Sequence, residues 1–177
     1  IASHTKPSSQ ALHPIEAAYY HQSHLKGRQD YGHQVLAVML ACNGMVFNYA
    51  MVLYDKSKSK IQLVQEIADE LPIAPIISYF LCDSWYTSVT VMESFLKKVE
   101  GDPVILVQYH AATTAEKATM LHFLDGKVAA VIGTHTKVMS ADERVTDNGT
   151  AFISDNGRVG SFMSVGGFDI DTEINKY

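Results

Sequence analysis

Two apolar stretches of the chain decide its fold. Residues 104–110 read VILVQYH, and residues 128–135 read VAAVIGTH. Each stretch begins like a buried strand and ends on a histidine, and residues 114–124 between them have apolar side chains at helical spacing. A strand, a helix and a second strand in this order predict two parallel strands joined by a crossover helix.

The two histidines at the ends of these stretches, His110 and His135, are the first candidate site residues. Ligands gather beyond the carboxyl ends of the strands in parallel sheets. Two imidazoles at neighbouring strand ends could therefore share a metal ion. A hydrogen-bonded pair of histidines at a sheet edge is the alternative interpretation.

The same alternation of strands and helices extends in both directions along the chain. Asn43-Gly44 separates two apolar runs, residues 35–41 and 45–54, and predicts an antiparallel hairpin. The helical patterns are residues 56–71, capped by Ser57 or Ser59, and residues 87–98. We predict short strands and turns over 138–166, a short helix at the tail, and a loop over residues 1–34 that leads into the hairpin.

The pattern as a whole predicts an α/β fold: a layered, mostly parallel sheet with helices on its faces and an antiparallel hairpin near the N-terminus. Residues 76–82 are predicted as a further strand, and Asp83 follows that strand directly. A carboxylate there suits a hard divalent cation such as Mg²⁺, and two such ions promote phosphodiester cleavage. A cap of the next helix is the alternative role of Asp83.

The composition narrows the class of protein. The net charge is −5 over 177 residues, which argues against a general nucleic-acid binder because phosphate contacts need clustered cations. No segment approaches the ~20 apolar residues of a membrane span. Cys42 and Cys82 lie in apolar runs and are predicted to be buried thiols of a reducing compartment, so we expect a cytoplasmic protein.

The first part of the chain resembles the DDE transposases of bacterial insertion sequences. The resemblance covers about residues 1–98 and rests on three segments: 19–28 (YYHQSHLKGR), 31–35 (YGHQV) and 80–88 (FLCDSWYTS). It implies an RNase H-like core in which Asp83 is the second catalytic aspartate and a metal ligand. It also implies that Lys26 and Arg28 contact DNA backbone. The first aspartate would precede Ile1 and the glutamate would lie beyond residue 98, so one ligand of three is present.

The second part resembles the C-terminal half of a calcineurin-like metallophosphoesterase, and the bacterial cyclic-nucleotide phosphodiesterases are the group it resembles most. The resemblance covers about residues 99–177. It rests on four segments in order: 109–117 (YHAATTAEK), 123–128 (FLDGKV), 133–144 (GTHTKVMSADER) and 149–155 (GTAFISD). It implies that His110 and His135 are ligands of a dinuclear Mn²⁺ or Fe site.

This chain departs from the phosphoesterase pattern at three positions. Lys137 stands where the family has a second histidine, and a cation would repel a metal ion. Gln108 replaces the usual acidic residue, and Ala112 replaces a glutamate. The family's remaining ligands belong to its N-terminal half, so the donors of this chain are too few for a dinuclear site.

We therefore predict two fragments, a transposase-like one over 1–98 and a phosphoesterase-like one over 99–177, which could merge into one sheet. Their common chemistry is metal-dependent hydrolysis or transfer at a phosphodiester, with Mn, Mg or Fe as the cofactor and a cyclic nucleotide or DNA as the substrate. The missing ligands predict impaired activity and leave open whether the chain is an enzyme. The alternatives are an inactive fusion or fragment, and a DNA-binding α/β module. No membrane partner is expected, whereas a homo-oligomer could cover exposed strand edges.

Overall fold

The structure, a computed structural model, describes residues 16–23, 27–72, 78–81 and 86–176. The chain divides into two compact units, Ile1–Val99 and Glu100–Tyr177. Each sheet formed by the described strands lies within one unit. The fold class is the one expected: a mixed α/β chain with an antiparallel hairpin early in the sequence and a mostly parallel sheet later.

The first unit opens with an antiparallel pair, β1 (Tyr19–Ser23) and β2 (Arg28–Gly32). The prediction of a loop over residues 1–34 is therefore wrong for this segment, while residues 1–15 lie outside the described part. Tyr20 faces Tyr31 across the pair with ring centroids 5.2 Å apart. Such aromatic cross-strand pairs stabilise a ribbon that polar composition alone does not reveal.

The predicted hairpin is confirmed as β3 (Val35–Cys42) and β4 (Met45–Leu53). Asn43 and Gly44 have φ angles of 49° and 76°, as a type I′ turn requires. Cys42 is exposed, which corrects the prediction of a buried thiol. It ends β3 beside the turn, so its place in an apolar run does not bury it. Cys82 lies outside the described residues.

The described part of the first unit also contains two helices, α1 (Lys60–Glu70) and α2 (Val89–Leu96), and both predictions are confirmed. Ser59 caps α1 in a reciprocal capping box with Gln62, and Ser88 caps α2. Residues 78–81 form no strand, contrary to the prediction for 76–82. Within this run the Phe80 ring packs on α2, with its centroid 3.8 Å from that of Phe95, whereas Tyr79 and Leu81 are exposed.

The second unit contains one four-stranded sheet. Its strands are β5 (Leu106–His110), β6 (Ala130–Thr134), β7 (Arg144–Val145) and β8 (Ala151–Ile153), in the order β5-β6-β8-β7. All neighbours are parallel except β7 and β8. The crossover helix α3 (Thr114–Leu124) matches its prediction, and the short helix α4 (Ile170–Ile174) lies in the tail.

The core of the second unit lies between α3 and the sheet. Leu121, Leu124 and Val131 are 0 % exposed, and Met120 and Phe152 are 5 % exposed. The strands β5 and β6 each begin two residues later than predicted, and they run on to His110 and Thr134. The parallel register pairs these two residues, which fixes the edge where the candidate site lies.

Candidate metal centre

The parallel register of β5 and β6 brings the two predicted histidines side by side. His110 pairs with Thr134, and His135 is the next residue of the chain. The His110 Nε2 and His135 Nδ1 atoms are 3.2 Å apart, and the rings meet edge-on with centroids 5.1 Å apart. Both side chains are exposed at this edge. The site is therefore open to solvent and to a ligand.

The Thr134 hydroxyl orients the His110 ring. Its Oγ1 lies 3.0 Å from Nδ1 of His110. When Nδ1 donates to this hydroxyl, Nε2 carries the lone pair and accepts a hydrogen bond from Nδ1 of His135. Metal-binding histidines commonly have their second ring nitrogen held by such a polar partner, which sets the tautomer. The ring of His110 is thus held in the tautomer whose Nε2 lone pair faces His135.

The turn that carries His135 has an unusual backbone. His135 has a φ of 147° and Lys137 a φ of 67°, backbone angles that residues other than glycine rarely adopt. Each such residue costs about 1–3 kcal/mol and persists only where surrounding contacts hold it. Between them, the Thr136 amide donates a hydrogen bond of 2.7 Å to Oδ2 of Asp155. The turn of residues 135–137 is therefore held from outside by a carboxylate.

Asp155 lies two residues after the end of β8 and is 1 % exposed. Its Oδ1 accepts from the Gly157 amide at 2.9 Å, and its Oδ2 lies 3.4 Å from Nζ of Lys117, which is also 1 % exposed. Burial alone would raise the pKa of Asp155. The hydrogen bonds from Thr136 and Gly157 and the Lys117 ammonium outweigh burial and lower this pKa to about 2. The carboxylate is therefore ionised at neutral pH.

Glu116 lies within electrostatic reach of the histidines. Hydrogen bonds from the Thr113 amide and hydroxyl lower the pKa of Glu116, and the Coulombic interaction with His135 adds to that lowering. These bonds form a capping box at the start of α3, with distances of 2.9 Å to Oε2. The carboxylate is therefore engaged by the helix cap.

The two histidines form the hydrogen-bonded pair of the alternative interpretation, and one metal ion would take the place of the proton that they share. Tetrahedral zinc with bonds of about 2.0–2.1 Å to nitrogen separates its ligand atoms by about 3.3 Å, close to the 3.2 Å between the two ring nitrogens. A dinuclear centre needs more donors. Within the described ranges, no group of three or more His, Cys, Asp or Glu side chains is placed to hold a metal. Among the described residues, this edge thus brings together two imidazoles and no further carboxylate, thiolate or imidazole placed to complete a metal site.

Other sequence candidates lie elsewhere. Asp83 and Lys26 fall outside the described residues, and Arg28 is exposed on β2 in the first unit. Three lysines near the start of α1 are engaged by neighbours: Lys56 and Lys60 lie over the rings of Tyr19 and Tyr54, and Lys58 pairs with Glu66 at 2.7 Å. Among the helices described, none has the length and apolar character needed to cross a membrane.

Several residues around the histidines were not predicted from the sequence. Thr134, Lys117 and Asp155 all lie within the segments that resemble phosphoesterases, yet no role was assigned to them. The position of Asp155 just beyond a short strand was a usable signal, because polar residues at strand ends gather at one edge of a parallel sheet. No comparable pattern singles out Lys117, which lies on the buried face of α3 where apolar residues are usual.

Known proteins match much of this chain. It is 40% identical over 85 residues to the 2',3'-cyclic-nucleotide 2'-phosphodiesterase of Bacillus subtilis (strain 168), an alignment that covers 48% of this chain and 32% of the relative. It is 31% identical over 127 residues to a protein of Mycoplasma pneumoniae named as a candidate phosphatase/phosphodiesterase, covering 71% of this chain and 42% of the relative. The chain thus spans less than half the length of these relatives.

A solved structure, described as a novel phosphatase from Mycoplasma pneumoniae, is 39% identical and has a TM-score of 0.42, covering 49% of this chain and 31% of that one. The family profile of YmdB-like proteins matches residues 55–177. That match includes the whole segment that resembles phosphoesterases, residues 99–177, and it supports that resemblance. It also covers residues 55–98 of the segment that resembles transposases, and the transposase resemblance itself stays a prediction. The chain belongs to the YmdB-like protein family.

Proposed function

We propose that the second unit carries part of a metal-dependent phosphodiesterase site, in which His110 and His135 are two of the metal ligands. The single observation that carries the proposal is the 3.2 Å separation of their facing ring nitrogens at the shared edge of two parallel strands. The named activities of the relatives in Bacillus and Mycoplasma support a phosphodiester as the substrate, with a cyclic nucleotide as the first choice.

The residues of the chain have distinct roles in this proposal. His110 and His135 bind the ion, and the Thr134 hydroxyl orients the first ring. A bound divalent ion supplies Lewis acidity toward a phosphoryl oxygen and lowers the pKa of a coordinated water. Lys137, exposed on the same turn, places a positive charge beside His135 that favours a phosphate anion and disfavours a second cation. We propose single-ion occupancy and weak turnover for this chain by itself.

Metal binding is the first test. His110→Ala and His135→Ala are each expected to reduce Co²⁺ affinity by more than about 100-fold. Losing a residue that only supports a metal ligand typically costs about 10- to 100-fold, and losing the ligand itself costs more. The reason is that each variant removes one of two donor nitrogens. Isothermal titration with Co²⁺ measures the affinity, and the visible absorption of bound Co²⁺ reports its ligands.

His122→Ala is the matched control for this titration, because His122 is an exposed histidine on α3. Its affinity should equal that of the unmodified chain. Lys137→His replaces a cation with a donor and should tighten binding. Equal Co²⁺ affinity in the unmodified chain and in both alanine variants would remove the basis of the proposed site.

Hydrolysis is the second test. Purified chain is expected to cleave bis-p-nitrophenyl phosphate weakly or not at all with Mn²⁺, because two donors cannot hold the ion pair of a two-metal site. The measurement is release of p-nitrophenol. Strong turnover that disappears in both His110→Ala and His135→Ala would show a complete enzyme. Turnover lost only in Asp83→Ala would assign the activity to the first unit.

The transposase-like origin of residues 1–98 remains a separate proposal supported by sequence resemblance alone. Its key residue Asp83 lies outside the described part of the chain. A DNA gel shift that fades with added salt would support a DNA-binding role for the first unit. The cytoplasmic location and the homo-oligomer also remain predictions.

A further inference from the structure

We propose that Lys117 and Asp155 are positioning residues, which hold the turn of residues 135–137 and so keep His135 in its ligating orientation. The inference deepens the proposed function and rests on it, because it explains how that site is held. Neither residue reaches a metal in this role. Each acts through the backbone of the turn.

The buried pair of Lys117 and Asp155 is not explained by a gain in folding stability. Lys117 and Asp155 are each 1 % exposed, and their charged atoms are 3.4 Å apart. Removing two charges from water costs several kcal/mol, and apolar replacements of such pairs are often neutral or stabilising. A buried pair is better explained by the geometry that it specifies, and the geometry here is that of the turn beside it.

Asp155 contacts that turn where its backbone is most strained. The Thr136 amide donates to Asp155 at 2.7 Å, and the residues on both sides of Thr136 have positive φ angles of 147° and 67°. Without this acceptor, the turn can relax toward ordinary φ values. The His135 ring would then leave its position 3.2 Å from His110.

Lys117 holds the Asp155 carboxylate through a second contact. Its stem runs close over β6, where its Cδ would lie 2.9 Å from a Cβ placed on Gly133. Its Nζ meets the same oxygen, Oδ2, that accepts from Thr136. The ammonium therefore keeps that oxygen charged and aimed at the turn. The path of positioning runs from α3 through Asp155 and Thr136 to His135.

The test compares two loops that use a carboxylate in similar ways. Lys117→Met/Asp155→Asn replaces the charged pair with a neutral one of similar size. Asp142→Asn is the matched control, because Asp142 accepts from the Ser154 amide at 3.0 Å and from the Ser140 hydroxyl. It reaches the backbone of Asp155 only through Ser140, and none of its described bonds is to the turn. Co²⁺ titration should show about a 10- to 100-fold loss of affinity in the double variant. It should show no loss in Asp142→Asn.

Nuclear magnetic resonance supplies a readout that does not need metal. In the unmodified chain, we expect the Thr136 amide to be protected from exchange and the rings of His110 and His135 to show a mutual contact. Both signatures should vanish in the double variant and persist in Asp142→Asn. Asp155→Asn alone serves if the double variant fails to fold, because its single carbonyl oxygen cannot replace both carboxylate oxygens, which accept from the Thr136 and Gly157 amides.

The outcomes separate the two proposals. Failure of every form to bind Co²⁺ would defeat the proposed function, and the resonance signatures would still decide the positioning role. Unchanged affinity and unchanged signatures in the double variant would overturn the inference. An equal loss in Asp142→Asn would also overturn it, because a general loosening of the loops would then explain the result.

Discussion

Gly133→Ala is expected to disrupt the second unit, with a loss of about 3 kcal/mol or more in its free energy of unfolding, at or above the upper end for overpacked cores. A Cβ at this position would lie 2.0 Å from the Ser154 carbonyl oxygen and 2.9 Å from Cδ of Lys117. The lysine stem can shift, but the carbonyl belongs to the backbone that leaves β8. Moving that backbone also moves Asp155, the next residue, away from the turn it holds.

The measurement for Gly133→Ala is amide hydrogen exchange of Val131 and Phe152, which reports the sheet of the second unit alone. Gly160→Ala is the control, since a Cβ there meets only the Arg158 side chain at 3.8 Å, an ordinary contact distance. Its exchange should match that of the unmodified chain. Equal protection in Gly133→Ala and Gly160→Ala would contradict the close approach of the Ser154 carbonyl.

Much of the second unit could be predicted because local pattern and tertiary environment agree there. The helix of residues 114–124 has its buried face at helical spacing and a Thr113–Glu116 capping box at its start. The two strands around it are apolar and bounded by turn residues. Both strands begin two residues later than predicted and run on to His110 and Thr134, because the backbone pairing that sets their limits is not visible in the sequence.

The first unit shows where such patterns fail. Residues 78–81 form an apolar run without a partner strand, and a period-free run cannot distinguish a buried strand from a segment that packs on a helix. The ribbon of β1 and β2 was missed for the opposite reason. Its polar residues resemble a loop, while its stabilising contact, Tyr20 against Tyr31, depends on a register that only pairing reveals.

The sequence predicted the two histidines of the candidate site but not the residues that hold them in place. Strand topology alone predicts that His110 and His135 share an edge, because parallel strands end together. The strained turn and the buried pair depend on non-local hydrogen bonds between residues 19 and 38 positions apart, respectively. Local composition carries no record of such bonds. A lysine on the buried face of α3 contradicts the helix pattern, and such local conflicts mark functional or strained sites.

Leu121→Ala is expected to cost the second unit about 2–5 kcal/mol, the range for truncating a fully buried leucine. Leu121 is 0 % exposed on α3, where the helix packs against β6. Removing its branched end leaves a cavity that a two-layer unit can close only in part. The same helix carries Lys117, so weaker docking also loosens the contact that holds Asp155.

Thr119→Ala is the matched control for Leu121→Ala on the same helix, because Thr119 is exposed and its hydroxyl donates only to the Ala115 carbonyl. Alanine has the higher helix propensity, so this variant should leave stability unchanged or raise it by a few tenths of a kcal/mol, roughly. Amide exchange of Val131 in both variants measures the difference. If α3 is stabilised through its buried face, Leu121→Ala lowers the free energy of unfolding and Thr119→Ala does not. Equal losses of stability in the two variants would contradict that account.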